Sequence, residues 1–204
     1  MLEVQKLTCV RGTRLLFQNL NFIATPGELI ELRGPNGSGK TSLLRILCGL
    51  SSPAAGEVRW NGENIRKLGE EYFGAVAYLA HRNAVKDEFS PIENLRISGG
   101  VAGNSLSRAQ AEEVLERVGL RERQNLPARV LSAGQRRRLA LTRLVISNAK
   151  LWLLDEVLTS LDDDAVRLSR QFITDHLKNR GMAIIATHVD LNLSAERVQR
   201  IQLS

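Results

Sequence analysis

Short apolar runs separated by turn residues fill the beginning of the chain. Residues 2–10 alternate loosely between apolar and polar positions and predict a strand, and residues 14–17 and 20–24 predict two more. Residues 25–27 form a Thr-Pro-Gly turn signal before a fourth apolar strand at residues 29–32. Because these strands cluster before the first helix, we expect an antiparallel sheet beside a parallel core.

The spacing of apolar residues changes to a helical period directly after the fourth strand. Residues 41–47 predict the first helix. Residues 57–60 predict a short strand that is closed by the hairpin signal Asn61-Gly62, and residues 75–79 predict another buried strand.

Residues 84–147 have a predominantly helical pattern. Ser90 and Ser107 each begin a capping box, in which a serine and a residue three positions later satisfy each other's backbone amides. Small residues at 99–104 predict the loop between these two helices, and Ser132 opens a third helix. We interpret approximately residues 84–147 as a helical subdomain inserted into the core.

The last part of the chain returns to buried strands. Residues 151–154 are apolar on both faces, as expected of a buried parallel strand. Residues 162–178 predict a helix, and residues 182–186 and 200–203 predict strands. The fold class is therefore α/β, a single domain of residues 1–204 with a mostly parallel core sheet, an N-terminal antiparallel β subdomain and the helical insertion.

Composition narrows the possible functions only slightly. The 204 residues carry a net charge of +6, which permits a nucleotide, nucleic acid or an anionic membrane surface as partner, or only a scattered solvated surface. Aromatic residues make up 4%, which disfavours stacking platforms for single-stranded nucleic acid.

No apolar run approaches the ~20 residues of a membrane span, and the first residues lack a signal-peptide pattern. Cys9 and Cys48 stand outside any Cys-x-x-Cys motif, so we expect no zinc site and no covalent haem attachment. Such cysteine use fits a reducing compartment. We therefore expect a cytoplasmic protein unless something tethers it to a membrane.

The loop between the strand at 29–32 and the helix at 41–47 fits the phosphate-binding pattern G-x-x-x-x-G-K-[ST]. Its glycines let backbone N–H groups turn toward a polyphosphate, and the helix directs its positive end at the same anion. Lys40 can reach the β- and γ-phosphates, and the Thr41 hydroxyl can bind Mg²⁺. The alternative is a glycine-rich turn with a chance lysine. The predicted nucleotide contacts are Gly34, Pro35, Asn36, Gly37, Ser38, Gly39, Lys40, Thr41 and Ser42.

Two carboxylates follow the strand at residues 151–154. Asp155 can bind Mg²⁺ if this strand emerges beside the phosphate loop, and Glu156 can then polarise an attacking water. Acids at strand ends are also common as helix N-caps, so the pair alone is a weak signal.

Three further segments make the chain resemble the ABC-type ATPases. Residues 131–135 read Leu-Ser-Ala-Gly-Gln and are similar to that family's LSGGQ signature, with Ala133 at the first glycine. Residues 160–162 resemble its D-loop, which ends here at Asp162, and His188 stands where its switch histidine lies. The five motifs follow one another in the family's order over nearly the whole chain, so the resemblance implies an ABC-type ATPase fold with a P-loop core.

The resemblance also implies a mechanism that uses ATP and Mg²⁺. Two copies would face each other head to tail, and each ATP would lie between the phosphate loop of one copy and the signature of the other. The signature contacts would come from Ser132, Ala133, Gly134 and Gln135. Lys40, Glu156 and His188 would be the catalytic residues, with Glu156 acting on the water and His188 holding the γ-phosphate.

Within this family the chain resembles the ATP-binding subunits of the haem exporter group, which serve bacterial cytochrome c maturation. The likeness rests on the short length, Arg11-Gly12, the run 131–138 and residues 78–81. It implies integral membrane permease subunits of a cytochrome c maturation complex as partners. It also implies a peripheral position on the cytoplasmic side of the bacterial inner membrane, with no nucleic acid partner.

The chain departs from the family pattern at three positions. His81 stands where a glutamine usually meets Mg²⁺ and the membrane partner, and since Mg²⁺ prefers oxygen ligands we expect a coupling role instead. Arg11 replaces an aromatic residue, and its flat guanidinium can stack on adenine or simply face solvent. Val157 replaces a proline, and its effect is open.

The sequence is also compatible with other functions. The chain could serve another ABC exporter, or could be a soluble ABC ATPase acting on nucleic acid or ribosomes. The second of these would need a basic surface, but residues 136–138 are three consecutive arginines that spread around a helix. A lone small-molecule kinase would leave the signature unexplained. We expect His176 to be a helix-surface histidine and not a haem ligand.

Overall fold

The computed structural model describes residues 1–80, 84–157, 163–188, 191, 193 and 197–204. In this part of the chain the strands are β1 (Leu2–Arg11), β2 (Arg14–Ala24), β3 (Glu28–Arg33), β4 (Ala55–Trp60), β5 (Glu63–Asn64), β6 (Val76–Leu79), β7 (Leu151–Asp155), β8 (Met182–Ala186) and β9 (Arg197–Gln202). The helices are α1 (Lys40–Leu47), α2 (Ile65–Leu68), α3 (Glu70–Ala75), α4 (Pro91–Val101), α5 (Arg108–Arg117), α6 (Ala133–Ile146) and α7 (Asp163–Lys178), with short 3₁₀ turns at Arg121–Arg123 and Ala128–Val130.

The chain divides into two compact units. The first contains Met1–Tyr78, Ala149–Val157 and Ile173–Ser204, and the second contains Leu79–Asn148 with residues 163–172 of α7. The helices predicted for residues 84–147 belong to the second unit. Among the described residues, none of the helices has both the length and the apolar character needed to cross a bilayer.

An antiparallel sheet in the first unit has the strand order β2-β1-β4-β5. The two strands expected at residues 14–17 and 20–24 are in fact one continuous strand, β2. Its ladder with β1 is irregular near Asn19, which has a positive φ of 53°, a conformation that asparagine tolerates. The Asn19 amide donates to the Thr8 hydroxyl, so a side chain replaces a ladder partner and the strand continues.

The parallel core sheet has the strand order β6-β7-β8-β3-β9. Ala186, the last residue of β8, is the register partner of Leu32 in β3 and of Asp155 in β7. The carboxyl ends of these three strands therefore lie in one row, and the loops that follow them meet at the same edge of the sheet. This order places the phosphate loop, the acidic pair and His188 together.

The apolar core of the first unit packs α1 and both sheets into one cluster, with Leu43, Leu44 and Leu47 fully buried. Helices α2 and α3 were not expected from the sequence, since each is shorter than two turns. Tyr72 of α3 is fully buried, packs edge-on against Trp60 at 5.7 Å between ring centroids and donates to the Leu47 carbonyl.

Three capping boxes begin the main helices of the second unit. Those predicted at Ser90 and Ser107 are confirmed, and Ser132 forms a third with Gln135. The loop expected at 99–104 is wrong in its first residues because α4 continues to Val101. Gly99 is buried inside that helix, and an added Cβ would stand 2.6 Å from the Asn104 carbonyl oxygen, so a small residue here reflects close packing and not a loop.

His176 is not the surface residue that the sequence suggested. Its ring stacks on Trp152 with 3.9 Å between centroids and 6° between planes, and Nε2 lies 3.2 Å from the Met182 carbonyl oxygen. Burial lowers the pKa of His176 to about 4, which means that the ring is neutral in the folded protein at pH 7.

We expect the stability of the fold to fall in mild acid because of His176. Its pKa is lower in the folded state than in the unfolded chain, so its contribution is complete above about pH 6.5 and is lost as the pH falls toward 4. For a partly exposed ring this amounts to about 2 kcal/mol between pH 7 and 4.5. Urea unfolding at both pH values should show that loss in the wild type and a smaller loss, by about this amount, in His176→Phe. Equal losses in the two proteins would contradict the assignment.

Candidate active site

The phosphate loop joins β3 to α1 within the first unit, as predicted. Gly34 has a φ of 146°, and a Cβ at this position would collide with the Leu203 carbonyl oxygen. Gly39 has a φ of 102°, and a Cβ there would lie 3.1 Å from the Phe17 ring. Both positions therefore require glycine, for backbone conformation and for close packing.

Lys40 is the first residue of α1 and is buried, with 5% of its surface exposed. Its Nζ donates to the carbonyl oxygens of Gly34 at 2.7 Å and Pro35 at 3.1 Å, and it lies 3.1 Å from His188 Nε2. The ammonium thus closes the loop on itself. A phosphate group could replace these contacts with stronger charge-assisted bonds.

The remaining loop residues differ in exposure. Pro35, Asn36 and Gly37 form its exposed tip, whereas Ser38 is buried and its Oγ has no hydrogen-bond partner in the described structure. A buried hydroxyl without a partner is unfavourable, and a bound phosphate could supply the missing hydrogen bond. Ser42 follows Thr41 in α1 and is half-buried.

Thr41 and Asp155, the two predicted metal ligands, are adjacent in the structure. The Thr41 hydroxyl donates to Asp155 Oδ1 at 3.2 Å, and Asp155 is buried at the end of β7. A hydroxyl and a carboxylate are hard oxygen donors of the kind that Mg²⁺ prefers. Among the described residues no three His, Cys, Asp or Glu side chains group together, so a metal here would need further oxygens from phosphate and water.

Glu156 and His188 meet beside Lys40. Glu156 has a positive φ of 51° directly after β7, and its backbone amide donates to the Ala186 carbonyl at 3.0 Å. Its Oε1 lies 3.2 Å from His188 Nε2. The same nitrogen is also near the Lys40 ammonium. Because one ring nitrogen can either donate to Glu156 or accept from Lys40, only one of these contacts is a hydrogen bond at a time.

Tyr78 is a site residue whose contact the sequence did not reveal. Its hydroxyl donates to Asp155 Oδ2 at 3.5 Å, whereas the Thr41 hydroxyl donates to the other carboxylate oxygen, Oδ1. Burial and the neighbouring Asp155 charge raise the pKa of Tyr78 to about 12, so it remains a neutral donor. No sequence signal identifies this contact, because it depends on β6 lying beside β7.

The signature residues lie in the second unit, at the start of α6. Ser132 Oγ accepts from the Gln135 amide at 3.2 Å, and Gln135 Oε1 accepts from the Ser132 amide at 3.0 Å. Ser132 and Ala133 are exposed, while Gly134 and Gln135 are half-buried. The reciprocal capping bonds fix the segment as a rigid helix start with an exposed small-residue tip.

The three arginines that follow are structural. Arg136 donates to the carbonyls of Arg129 at 2.6 Å and Leu131 at 3.2 Å, and Arg138 donates to Val118 at 3.0 Å. Arg137 is buried, with 6% of its surface exposed. These guanidinium groups hold local backbone together and do not form a single basic face.

Of the other predicted positions, the structure describes Arg11 and Val157 but not His81 or the D-loop. Arg11 is exposed at the end of β1, and Val157 is fully buried after Glu156. His81 and the D-loop residues 160–162, including Asp162, lie outside the described residues.

Comparison with known proteins agrees with this geometry. A family model described as ABC transporter matches residues 17–159. A protein from Nitrosospira multiformis called cytochrome c biogenesis ATP-binding export protein CcmA is 51% identical over 203 residues, covering 100% of this chain and 98% of that protein. A protein of the same name from Aliivibrio fischeri is 41% identical, covering 100% of this chain and 99% of its own length.

Solved structures show the same fold. An ATP-binding protein of an ABC transporter from Pyrococcus furiosus superposes with a TM-score of 0.85 at 24% identity, covering 99% of this chain and 96% of that one. A dimeric ATP-binding cassette in a post-hydrolysis state with ADP and Pi superposes with a TM-score of 0.83 at 22% identity, covering 100% and 97%. The expected α/β fold with a P-loop core is confirmed, and the chain belongs to the ABC transporter family.

Proposed function

We propose that this chain is the ATP-hydrolysing subunit of a membrane complex that exports or delivers haem during cytochrome c maturation. The observation that carries the chemistry is the convergence of Lys40, Asp155 and His188 at the carboxyl ends of β3, β7 and β8. The biological setting is supported by relatives that match over their full length and are called cytochrome c biogenesis ATP-binding export proteins.

Nucleotide binding exchanges contacts that the loop now makes with itself. Lys40 holds the Gly34 and Pro35 carbonyls and approaches His188, and a β- or γ-phosphate would compete for the same ammonium. The buried Ser38 hydroxyl supplies a further bond to the phosphate. Arg11, at the end of β1, would lie against the adenine face, where a guanidinium can stack.

The donors at Thr41 and Asp155 fit Mg²⁺. Thr41 Oγ1 and one Asp155 oxygen would bind the ion directly, while Tyr78 keeps the other carboxylate oxygen in place. Bound Mg²⁺ neutralises charge on the phosphates during transfer. The buried position of Asp155 keeps this carboxylate in a single orientation.

Glu156 and His188 have different roles at the γ-phosphate: Glu156 acts on the water and His188 on a phosphate oxygen. Glu156 lies one residue beyond the metal-binding carboxylate and accepts a proton from the attacking water. His188 Nε2, now between Lys40 Nζ and Glu156 Oε1, would donate to a γ-phosphate oxygen once the nucleotide separates these groups. The protein thus acts by positioning and polarising the water and the γ-phosphate.

A second copy of the chain would complete the site. Ser132 and Ala133 form an exposed helix start, which is suited to an anion, and in the proposed dimer they contact the γ-phosphate bound to the partner. Gly134, Gln135 and Asp162 would complete this contact. Hydrolysis removes the bridging phosphate, so the dimer opens after each cycle.

The names of the relatives and the exposed surface of the chain support our choice of the remaining partners. We propose integral membrane permease subunits, with this chain bound peripherally at the cytoplasmic face of the inner membrane. Nucleic acid is a poor candidate because Arg136 and Arg138 use their guanidinium groups on backbone carbonyls. In the second unit Phe89, Ile97 and Val101 are exposed by 41%, 46% and 86%, and apolar exposure of this kind supports a protein partner.

Lys40 and Glu156 should separate ATP binding from ATP hydrolysis. Lys40→Ala should weaken nucleotide binding because it removes a cation from the phosphates. Glu156→Gln should still bind ATP but lower kcat by roughly 10²–10⁴-fold, the usual contribution of a general base. Calorimetric titration and phosphate release would measure both effects, with Lys67→Ala and Glu113→Gln, two exposed charge changes elsewhere, as controls. Turnover near the wild-type rate in Glu156→Gln would remove this residue from the mechanism.

Dimerisation should depend on ATP. Light scattering of Glu156→Gln should show a monomer without nucleotide and a dimer with ATP, because hydrolysis no longer opens the sandwich. Adding Ala133→Asp should prevent the ATP-dependent dimer, since an acid at this helix start is compatible with the helix but repels the partner's γ-phosphate. A dimer of constant amount with and without ATP would contradict the model.

Isolation of the protein from its native membrane tests the biological assignment. After detergent extraction, the chain should co-purify with integral membrane proteins, and the preparation should bind haem in optical spectra. Retention on DNA that falls with salt, without membrane partners, would instead support action on nucleic acid.

A further inference from the structure

The hairpin between β1 and β2 carries two facing arginines. Arg11 and Arg14 are direct register partners across the Gly12-Thr13 turn, and Gly12 has a φ of 61°. Both side chains are exposed, and in the described part of the chain neither guanidinium forms an ion pair or a side-chain hydrogen bond. Like charges placed opposite each other on a strand pair are unfavourable, so an anion bound nearby would stabilise this arrangement.

The same hairpin is anchored to the phosphate loop. Leu16 and Phe17 of β2 are buried, and a Cβ built on Gly39 would lie 3.2 Å from Leu16 Cβ and 3.1 Å from the Phe17 ring. Two packed apolar side chains therefore fix the position of β2 over the loop. Arg14 stands two residues before Leu16 on the same strand, so its backbone is held at the loop as well.

The Arg14 side chain reaches the tip of the phosphate loop. A Cβ built on Gly37 would lie 3.7 Å from Arg14 Nη1, which places the guanidinium beside the open side of Gly37 at the loop tip. Gly37 belongs to the exposed tip, whereas Lys40 is buried beneath the loop. The loop thus lies between a buried ammonium and an exposed guanidinium, and both are suited to phosphate oxygens.

We propose that Arg14 is a nucleotide-binding residue that contacts the phosphate chain from the hairpin side of the loop. This rests on the proposed function as an ATP-binding subunit, and it differs from the stacking contact expected of Arg11 with the adenine. A guanidinium can donate two parallel hydrogen bonds to a phosphate, which a lysine ammonium cannot reproduce. Bound nucleotide would also relieve the repulsion between Arg11 and Arg14.

The simplest test compares ligands that differ in phosphate content. The affinities of ATP, ADP, adenosine and inorganic triphosphate are measured by competition against a fluorescent nucleotide, for the full chain carrying Arg14→Gln. Loss of a charged hydrogen-bonding partner should weaken ATP, ADP and triphosphate by about tenfold and leave adenosine unchanged. Binding of ATP should also become less sensitive to salt.

Two further variants make the result specific. Arg66→Gln removes the same charge from another exposed arginine of the first unit, on α2, and should bind all four ligands as the wild type does. Arg14→Lys keeps the charge but loses the paired hydrogen bonds, so its affinity for ATP should fall between those of the wild type and Arg14→Gln. Because Arg14→Lys is conservative, it also provides the test if Arg14→Gln does not fold.

The outcomes distinguish this inference from the function on which it rests. If Lys40→Ala weakens ATP binding while Arg14→Gln and Arg14→Lys bind like Arg66→Gln, the role of Arg14 is refuted and the ATPase assignment stands. An equal loss for adenosine and ATP would also refute it, because Arg14 would then act on the base. If the wild type binds no ATP at all, the proposed function itself fails.

Discussion

The parallel hydrogen bonding of β7, β8 and β3 is the constraint on which the site depends. Ala186 pairs with Leu32 on one side and Asp155 on the other, so three loops that are distant in sequence begin at one row of the sheet. The Glu156 amide bonds to the Ala186 carbonyl and the Thr187 amide bonds to the Leu32 carbonyl, which continues the ladder beyond the strand ends. Backbone pairing therefore determines the spacing of the charged side chains.

The charged side chains of the site have hydrogen-bond partners within the chain. Burying the Lys40 ammonium without hydrogen-bond acceptors would cost free energy, and two loop carbonyls accept its hydrogen bonds. His188 stands between Lys40 and Glu156 and can serve only one of them. A phosphate that enters beside Lys40 would compete with the two loop carbonyls and with His188 for the ammonium.

The antiparallel sheet packs directly on the phosphate loop. Its residues Leu16 and Phe17 pack on Gly39. A side chain at position 39 would crowd them, which is one reason why this loop position requires glycine. The same packing positions an arginine at the loop tip. A β hairpin can in this way supply a cation to a phosphate site whose main elements belong to a different sheet.

By itself, the sequence determined most of the elements and the chemistry of the short motifs. Local signals suffice for these: helical spacing for α1, capping serines at Ser90 and Ser107, the Asn61-Gly62 hairpin, and the glycines, lysine and threonine of the phosphate loop. The family resemblance, based on the signature and the acidic strand, then gave the fold class and the ATPase function that the comparisons bear out. The proposed roles of the individual site residues remain predictions.

Tertiary structure alone decided the contacts that cross the chain. Three contacts join residues from different elements: the Tyr78 hydroxyl with Asp155, the Arg14 side chain with the Gly37 position, and the His176 ring stacked on Trp152. Strand order and register create these pairs, and neither is visible in the local pattern of apolar and polar residues. The same reason explains two of the local errors, since β2 continues past Asn19 through a side-chain hydrogen bond and Gly99 is small because Asn104 packs against it.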